Sequence, residues 1–264
     1  MSGSDGRNHG HGRNGGGTPI DSYLICATPR TGSSLLCGLL ESTGVAGHPG
    51  SYFRRQDQPS WAVRWGIGGA QDGSDDFADY LRAAISAGRT ENGVFAARVM
   101  WGTLDEIVDN LGSVYPGAAG SGADLLTQAF GRTGFVHLYR GDVVGQAVSW
   151  LRAEQTDVWH VVGDARPAPP AQAPRFDADR IHDLVRTIGV HDDAWREWFS
   201  GAGIRPYLVQ YEDLADDPVG VTRDVLDFLG IEAPPGIEIR AGHRQLTDRL
   251  NARWIDRYRS GRDG

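Results

Sequence analysis

The sequence contains no lysine, so all 26 of its basic residues are arginine. Recognition of an anion by a charged side chain therefore depends on guanidinium groups, whose planar fork suits two-point contacts with phosphate or sulfate. The 34 acidic residues outnumber the arginines and set the net charge at −8. This acidic balance argues against a general nucleic-acid-binding protein.

Cysteine and long apolar runs are also scarce. Only Cys26 and Cys37 occur, both in apolar segments where cysteine acts as a small apolar residue, and this usage predicts a reducing, cytoplasmic location. No apolar run is long enough to span a bilayer, and residues 1–17 lack the apolar region of a signal peptide. Because they are rich in Gly, Ser, Asn and His, residues 1–20 predict a disordered tail ahead of a single domain, residues 21–260.

Apolar runs of strand length alternate with segments of helical periodicity along the domain. The predicted strands are residues 22–27, 93–100, 134–139 and 206–210, and the predicted helices are residues 33–42, 76–87, 104–111, 142–154, 177–199 and 218–229. Residues 112–123, rich in Gly and Ala, predict a flexible connection. This alternation indicates an α/β fold with a central, mostly parallel sheet covered by helices on both faces. Its ligands should bind beyond the C-terminal ends of the strands.

The loop after the first predicted strand is the most informative segment. It reads Pro29, Arg30, Thr31, Gly32, Ser33, Ser34, and an apolar-faced helix begins within it. A helix that starts directly after a buried strand offers free backbone N–H groups to an anion. The pattern of nucleoside-triphosphate loops, G-x-x-x-x-G-K-[ST], needs glycine and lysine where this chain has Ala27 and Ser33. The loop therefore predicts binding of an anion other than a triphosphate.

A second anion-binding element follows the third predicted strand, where Arg140 precedes a helix that carries Ser149. In combination with residues 29–34, it resembles the sulfotransferases that use 3′-phosphoadenosine 5′-phosphosulfate (PAPS). More narrowly, it resembles the bacterial trehalose 2-sulfotransferase family. Further matching segments are residues 43–47, 92–94, 99–101, 155–159 and 254–259, in family order from about residue 22 to residue 259.

The resemblance implies a P-loop-like sulfotransferase fold and an enzyme that works without a metal. It implies in-line transfer of a sulfuryl group from PAPS to a hydroxyl of a carbohydrate, glycolipid or related small molecule. By position, residues 29–34 would hold the 5′-phosphosulfate, and Arg140 and Ser149 the 3′-phosphate. Arg244 matches a family segment near the C-terminus and would close over the nucleotide. Dimers occur in the family, so the resemblance also implies a homodimer.

Sulfuryl transfer needs a group that removes the proton of the acceptor hydroxyl. The trehalose enzymes have an acidic residue where this chain has Ser51, and serine cannot act as a base at neutral pH unless another group activates it. Histidine titrates near neutral pH, which makes His48 the nearest candidate base. We therefore predict a catalytic group of His48, Ser51 and Arg30, in which Arg30 stabilises developing charge. The alternative for His48 is a solvated loop histidine.

Two other functional classes stay open from the sequence. The first is a nucleotide kinase or NTPase, against which stand the missing lysine after Gly32 and the absence of a clear Mg²⁺-binding aspartate at a strand end. The second is a non-catalytic nucleotide-binding protein, which the serine at position 51 favours. The identity of the acceptor cannot be read from any motif.

Overall fold

A single parallel sheet organises the protein, of which a computed structural model describes residues 20–67, 74–118, 120–159, 172–240 and 249–261. Its strands are β1 (Ser22–Ala27), β2 (Phe95–Met100), β3 (Thr133–Tyr139) and β4 (Tyr207–Gln210), in the order β2-β1-β3-β4. Ser22 pairs with Phe95 on one side and with Thr133 on the other. The predicted strands and the α/β class with a parallel sheet are confirmed.

Ten helices lie within the described ranges. They are α1 (Ser33–Glu41), α2 (Gln58–Trp65), α3 (Ser74–Ala87), α4 (Leu104–Val114), α5 (Gly122–Phe130), α6 (Val143–Thr156), α7 (Ala178–Gly201), α8 (Tyr211–Asp216), α9 (Pro218–Leu229) and α10 (Arg249–Ser260). The six predicted helices correspond to α1, α3, α4, α6, α7 and α9. In the parts of the chain that the structure describes, no helix is long and apolar enough to cross a membrane.

Helices cover both faces of the sheet, as predicted. Side chains of α3, α4, α5 and α7 pack with Leu24 and Phe135 on one face. Side chains of α1 and α9 pack with Ile25 and Val136 on the other face. Alternate residues of the inner strands are thus buried on opposite sides, which explains why these strands are apolar throughout.

The predicted flexible connection over residues 112–123 is wrong. Helix α4 continues to Val114 and α5 begins at Gly122, so only a short link separates them. The backbone N–H of Ser121 donates to Asp124 Oδ2 at 2.7 Å and caps α5, whose Phe130 is buried in the core. The small residues ahead of α5 concealed this start signal. Helices α2, α8 and α10 were not predicted either.

Candidate functional site

The anion loop, which we define as residues 28–34, joins β1 to α1 at the C-terminal edge of the sheet. Arg30 and Gly32 both have a left-handed backbone, with φ of 68° and 84°. A side chain on Gly32 would put its Cβ 2.5 Å from Cδ2 of Tyr211, so this position also lacks space. The left-handed backbone costs a non-glycine residue about 1–2 kcal/mol, and surrounding contacts must hold Arg30 in it.

Arg30 is held by α6 and by the segment that follows it. Its Nε donates to Ser149 Oγ at 3.0 Å, and another guanidinium nitrogen donates to the carbonyl oxygen of Trp159. Burial, followed by the charge of Arg140, lowers the pKa of Arg30 to about 10. A desolvated guanidinium beside a second one would be stabilised by a bound anion.

Arg140 stands at the end of β3, the direct neighbour of β1 in the sheet. Its side chain is only 14% exposed, and its Cζ lies 4.4 Å from the ring centroid of Tyr211. Asp142 and Glu212 approach it at 3.9 and 4.0 Å. Its buried Nε has no hydrogen-bond acceptor among the described residues. A bound phosphate would contact the exposed part of the guanidinium, because Nε itself is buried.

Arg98 on β2 is a site residue that the sequence reasoning missed. Its Nε donates to Ser51 Oγ at 2.9 Å, and its Nη1 lies 2.9 Å from Ser34 Oγ and 3.4 Å from Ser33 Oγ. Ser33 occupies the place of the lysine in triphosphate loops, and Arg98 from β2 supplies a cation beside that place. The available signal was a single charge inside an otherwise apolar strand.

The family model described as Stf0 sulphotransferase matches residues 22–261. The chain belongs to the Stf0 sulphotransferase family. The predicted family and the predicted enzyme class, a sulfotransferase, are confirmed, which decides against a nucleotide kinase. A sulfotransferase requires a sulfate donor, and Arg30 and Arg140 are cationic groups that follow β1 and β3 in this Stf0 sulphotransferase.

Two relatives have similar sequences over nearly their whole length. Trehalose 2-sulfotransferase of Mycobacterium tuberculosis is 32% identical over 264 residues, which cover 91% of this chain and 95% of that protein. Trehalose 2-sulfotransferase of Mycolicibacterium smegmatis is 31% identical over 270 residues, which cover 92% and 97%. A crystal structure of a sulfotransferase from Alicyclobacillus acidocaldarius aligns with 93% of this chain and 92% of its own, at 15% identity and a TM-score of 0.48.

The two candidate groups for proton transfer in this Stf0 sulphotransferase lie apart. Gly50 pairs with Ala97 of β2, which puts the next residue, Ser51, beside Arg98 at the start of α1. The Nδ1 of His48 lies 3.1 Å from Glu41 Oε1, at the last residue of α1. A nine-residue helix is about 12 Å long. The structure therefore brings Ser51, but not the His48 side chain, to the anion loop.

Of the remaining predicted residues, some form the turn of the anion loop and one lies outside the described residues. The hydroxyl of Thr31 donates to the carbonyl oxygen of Thr28 at 2.9 Å and closes the turn of the anion loop. The carbonyl oxygen of Pro29 accepts from Gln146 Nε2 at 2.8 Å. Arg244 lies outside the described residues, as does nearly all of the predicted tail. No group of His, Cys, Asp or Glu side chains in the described ranges is arranged to hold a metal ion.

Proposed function

We propose that this sulfotransferase transfers the sulfuryl group of PAPS to a hydroxyl of a carbohydrate. The observation that carries the donor assignment is the convergence of Arg30, Ser149 and Arg140 at the ends of two adjacent parallel strands. A nucleotide with anionic groups at both its 3′ and 5′ positions matches two separate cationic positions. The names of the two trehalose 2-sulfotransferases support a sugar as the acceptor.

The two ends of the donor have different partners in this proposal. The 5′-phosphosulfate binds at the anion loop, where the start of α1 contributes backbone N–H groups and the positive end of the helix dipole. The 3′-phosphate binds Ser149 and the exposed part of the Arg140 guanidinium. Arg30 lies between the two ends and contacts Ser149.

Transfer proceeds by displacement at sulfur. The acceptor oxygen forms a bond to sulfur while the bond from sulfur to the bridging phosphate oxygen breaks, and the bond's electron pair leaves with the nucleotide. Arg98, together with Arg30, stabilises the charge that develops on the bridging oxygen and the sulfuryl oxygens. No covalent intermediate with the protein is needed, because alignment and charge stabilisation suffice by analogy with phosphoryl transfer.

The sequence assigns the acceptor proton to His48, and this assignment stays a prediction. It requires the His48 side chain to turn from Glu41, at the last residue of α1, towards an acceptor bound at the anion loop. In this proposal Ser51, which accepts from Arg98, donates its hydroxyl proton in a hydrogen bond to the acceptor. A homodimer and a cytoplasmic location also stay predictions, which light scattering and cell fractionation would test.

Titration calorimetry tests the donor site directly. We expect adenosine 3′,5′-bisphosphate to bind at least tenfold more tightly than adenosine 5′-monophosphate, and ATP with Mg²⁺ to bind weakly, since one charged hydrogen-bonded contact is worth about 1.5–3 kcal/mol. Equal binding of the mono- and bisphosphate would contradict the 3′-phosphate site. Transfer of labelled sulfate from PAPS to trehalose, other disaccharides, monosaccharides and a non-sugar alcohol then tests the acceptor class. Transfer to the non-sugar alcohol alone would contradict a carbohydrate acceptor.

A further inference from the structure

Asp192 on α7 is a buried carboxylate that the proposed chemistry does not use. It is only 6% exposed, and no Arg or His nitrogen of the described residues lies within ion-pair distance of it. Burial raises its pKa to about 6, although Arg196 opposes this effect. Burying a carboxylate without a cationic partner costs free energy. The group that donates a hydrogen bond to Asp192 therefore has a strong acceptor in a fixed position.

The contact of Asp192 is the first residue of the anion loop. Its Oδ1 lies 3.4 Å from Oγ1 of Thr28, a residue with no exposed surface. Gln146 Nε2 donates to the same Thr28 oxygen at 2.8 Å. Because that oxygen already accepts from an N–H, the single hydroxyl proton of Thr28 is directed towards the carboxylate. In this hydrogen bond the Thr28 hydroxyl therefore donates and the Asp192 carboxylate accepts.

One of these side chains, that of Gln146, also reaches the strained part of the loop. Gln146 Nε2 also donates to the carbonyl oxygen of Pro29 at 2.8 Å, directly before Arg30 with its left-handed backbone. Three residues further along α7, the indole N–H of Trp195 donates to the carbonyl oxygen of Ala27 at 3.1 Å. Helix α7 thus holds the end of β1 at two successive residues, on the side of the sheet opposite α1.

We propose that Asp192 is a positioning residue for donor binding, acting through Thr28. The chain of contacts from Asp192 to Thr28 and Gln146 holds Pro29 and Arg30 in the conformation that directs the Arg30 guanidinium to Ser149. The inference rests on the proposed function for the ligand concerned, the nucleotide donor. It adds an element, α7, that acts on the shape of the anion loop through its contact with Thr28.

A double-mutant cycle on donor binding tests this inference. The two single variants are Thr28→Val, which removes the hydroxyl at constant shape, and Asp192→Leu, which removes the acceptor. We expect each to weaken binding of adenosine 3′,5′-bisphosphate about threefold to tenfold, the equivalent of one hydrogen bond. We expect the double variant to bind no more weakly than Thr28→Val alone, because Thr28→Val already removes the contact with Asp192 together with the contact to Gln146. Asp192→Asn keeps an acceptor oxygen and should bind within about threefold of the wild type.

Kinetic readouts separate positioning from a merely structural role. The KM for the donor should rise in Thr28→Val, while the KM for the acceptor stays unchanged. The matched control is Thr222→Val, a buried threonine on α9 whose hydroxyl donates to the Pro218 carbonyl oxygen; it should change thermal stability and leave donor binding intact. Additive losses, or wild-type binding in both single variants, would overturn the inference.

Two further outcomes are decided by the same design. If the wild-type protein itself does not bind adenosine 3′,5′-bisphosphate, the proposed function is wrong, and that failure is seen before any variant is compared. If Asp192→Leu does not fold, a comparison of Thr28→Ser with Thr28→Val tests the same contact by changing Thr28 instead. Serine keeps the hydroxyl and should bind like the wild type, whereas equal binding by serine and valine overturns the inference.

Discussion

Arg98 Nε lies 2.9 Å from the hydroxyl oxygen of Ser51 and thereby connects the second strand to the loop that follows α1. The same guanidinium reaches Ser34 at the start of α1. One arginine therefore touches both the anion loop and the position at which the trehalose enzymes are expected to have an acidic residue. Its contacts are hydroxyl groups, which leave its charge available to a ligand.

Replacement of Arg98 should mainly affect turnover. Arg98→Gln removes a donor aimed at developing charge and should lower kcat about 10²- to 10³-fold, and Arg98→Lys should recover part of this loss. Steady-state kinetics with saturating donor and acceptor measure the effect. Arg132→Gln, which breaks an exposed ion pair with Asp21 at the opposite end of the sheet, serves as the control and should keep wild-type kcat. An unchanged kcat in Arg98→Gln would exclude Arg98 from the reaction.

Ser149 should discriminate between nucleotides. Ser149→Ala is expected to weaken binding of adenosine 3′,5′-bisphosphate about tenfold and to leave adenosine 5′-monophosphate nearly unaffected, because only the bisphosphate has the 3′ group. Calorimetry with both nucleotides measures the difference. The control is Thr156→Ala on the same helix, whose hydroxyl donates to the Arg152 carbonyl oxygen and should be neutral for both ligands. Equal losses for the two nucleotides would count against a 3′-phosphate contact.

Gly32 and Gly44 form a matched pair for the anion loop. Both have a left-handed backbone, but a Cβ on Gly32 would meet Tyr211 at 2.5 Å, whereas none of the surrounding heavy atoms lies within 4 Å at Gly44. Gly44→Ala should cost about 1 kcal/mol of unfolding free energy, the backbone cost alone. Gly32→Ala should cost about 1–3 kcal/mol more and also weaken nucleotide binding. Equal unfolding midpoints in urea for Gly32→Ala and Gly44→Ala would show that Tyr211 moves aside without loss of stability.

The base assignment makes a sharp prediction. If His48 removes the acceptor proton, His48→Ala should lower kcat about 10²- to 10⁴-fold with saturating acceptor. Glu41→Gln should have a smaller effect, because Glu41 contacts the ring but takes no proton from the acceptor. Near-normal turnover in His48→Ala would reject the assignment, and Ser51→Ala then tests whether the group beside Arg98 is needed for proton transfer.

Two buried groups, His137 and Asp192, should change the free energy of unfolding in opposite directions as the pH rises. Burial, and then Arg196, lowers the pKa of His137 to about 4, so between pH 4 and about 6.5 the unfolded chain binds the extra proton and stability rises with pH. Asp192, with its pKa raised to about 6, binds a proton in the folded state from pH 3.8 to about 6, so its contribution falls as pH rises. His137→Gln should therefore flatten the rise in unfolding free energy over this range, and Asp192→Asn should steepen it. Denaturant unfolding at pH 4.5, 5.5 and 6.5 measures both slopes, and equal slopes in the three proteins would contradict the burial of these charges.

Elements with strong periodicity were predictable to within a few residues. The first strand and the helix from Pro218 to Leu229 have the predicted bounds, because apolar spacing and flanking glycine or proline are local signals. Helix α5 was missed, since its cap at Ser121 lies among small residues that are typical of a loop. Helix α10 has buried side chains one turn apart, Trp254 and Tyr258, within a strongly polar segment.

Within the site, sequence reasoning found the arginines that follow strands, and the family resemblance added Ser149 on α6. Arg140 directly follows β3, and Arg30 lies in the loop after β1. Arg98 and Asp192 were missed, since each acquires its contact from a residue far away in the chain, 47 positions for Ser51 and 164 for Thr28. Such contacts depend on strand register and on where a helix crosses the sheet.

The amino-acid sequence by itself determined the alternation of strands and helices, the exclusive use of arginine as a cation, and a loop of the right composition for an anion. These properties follow from local spacing and side-chain chemistry. Only the tertiary structure decided which arginines lie near one another, that β2 supplies a cation beside Ser33, and that α7 reaches the anion loop from the face of the sheet opposite α1. The physical reason is that sheet order and helix packing set the distances between charges. Both depend on many weak contacts between residues that are far apart in the sequence.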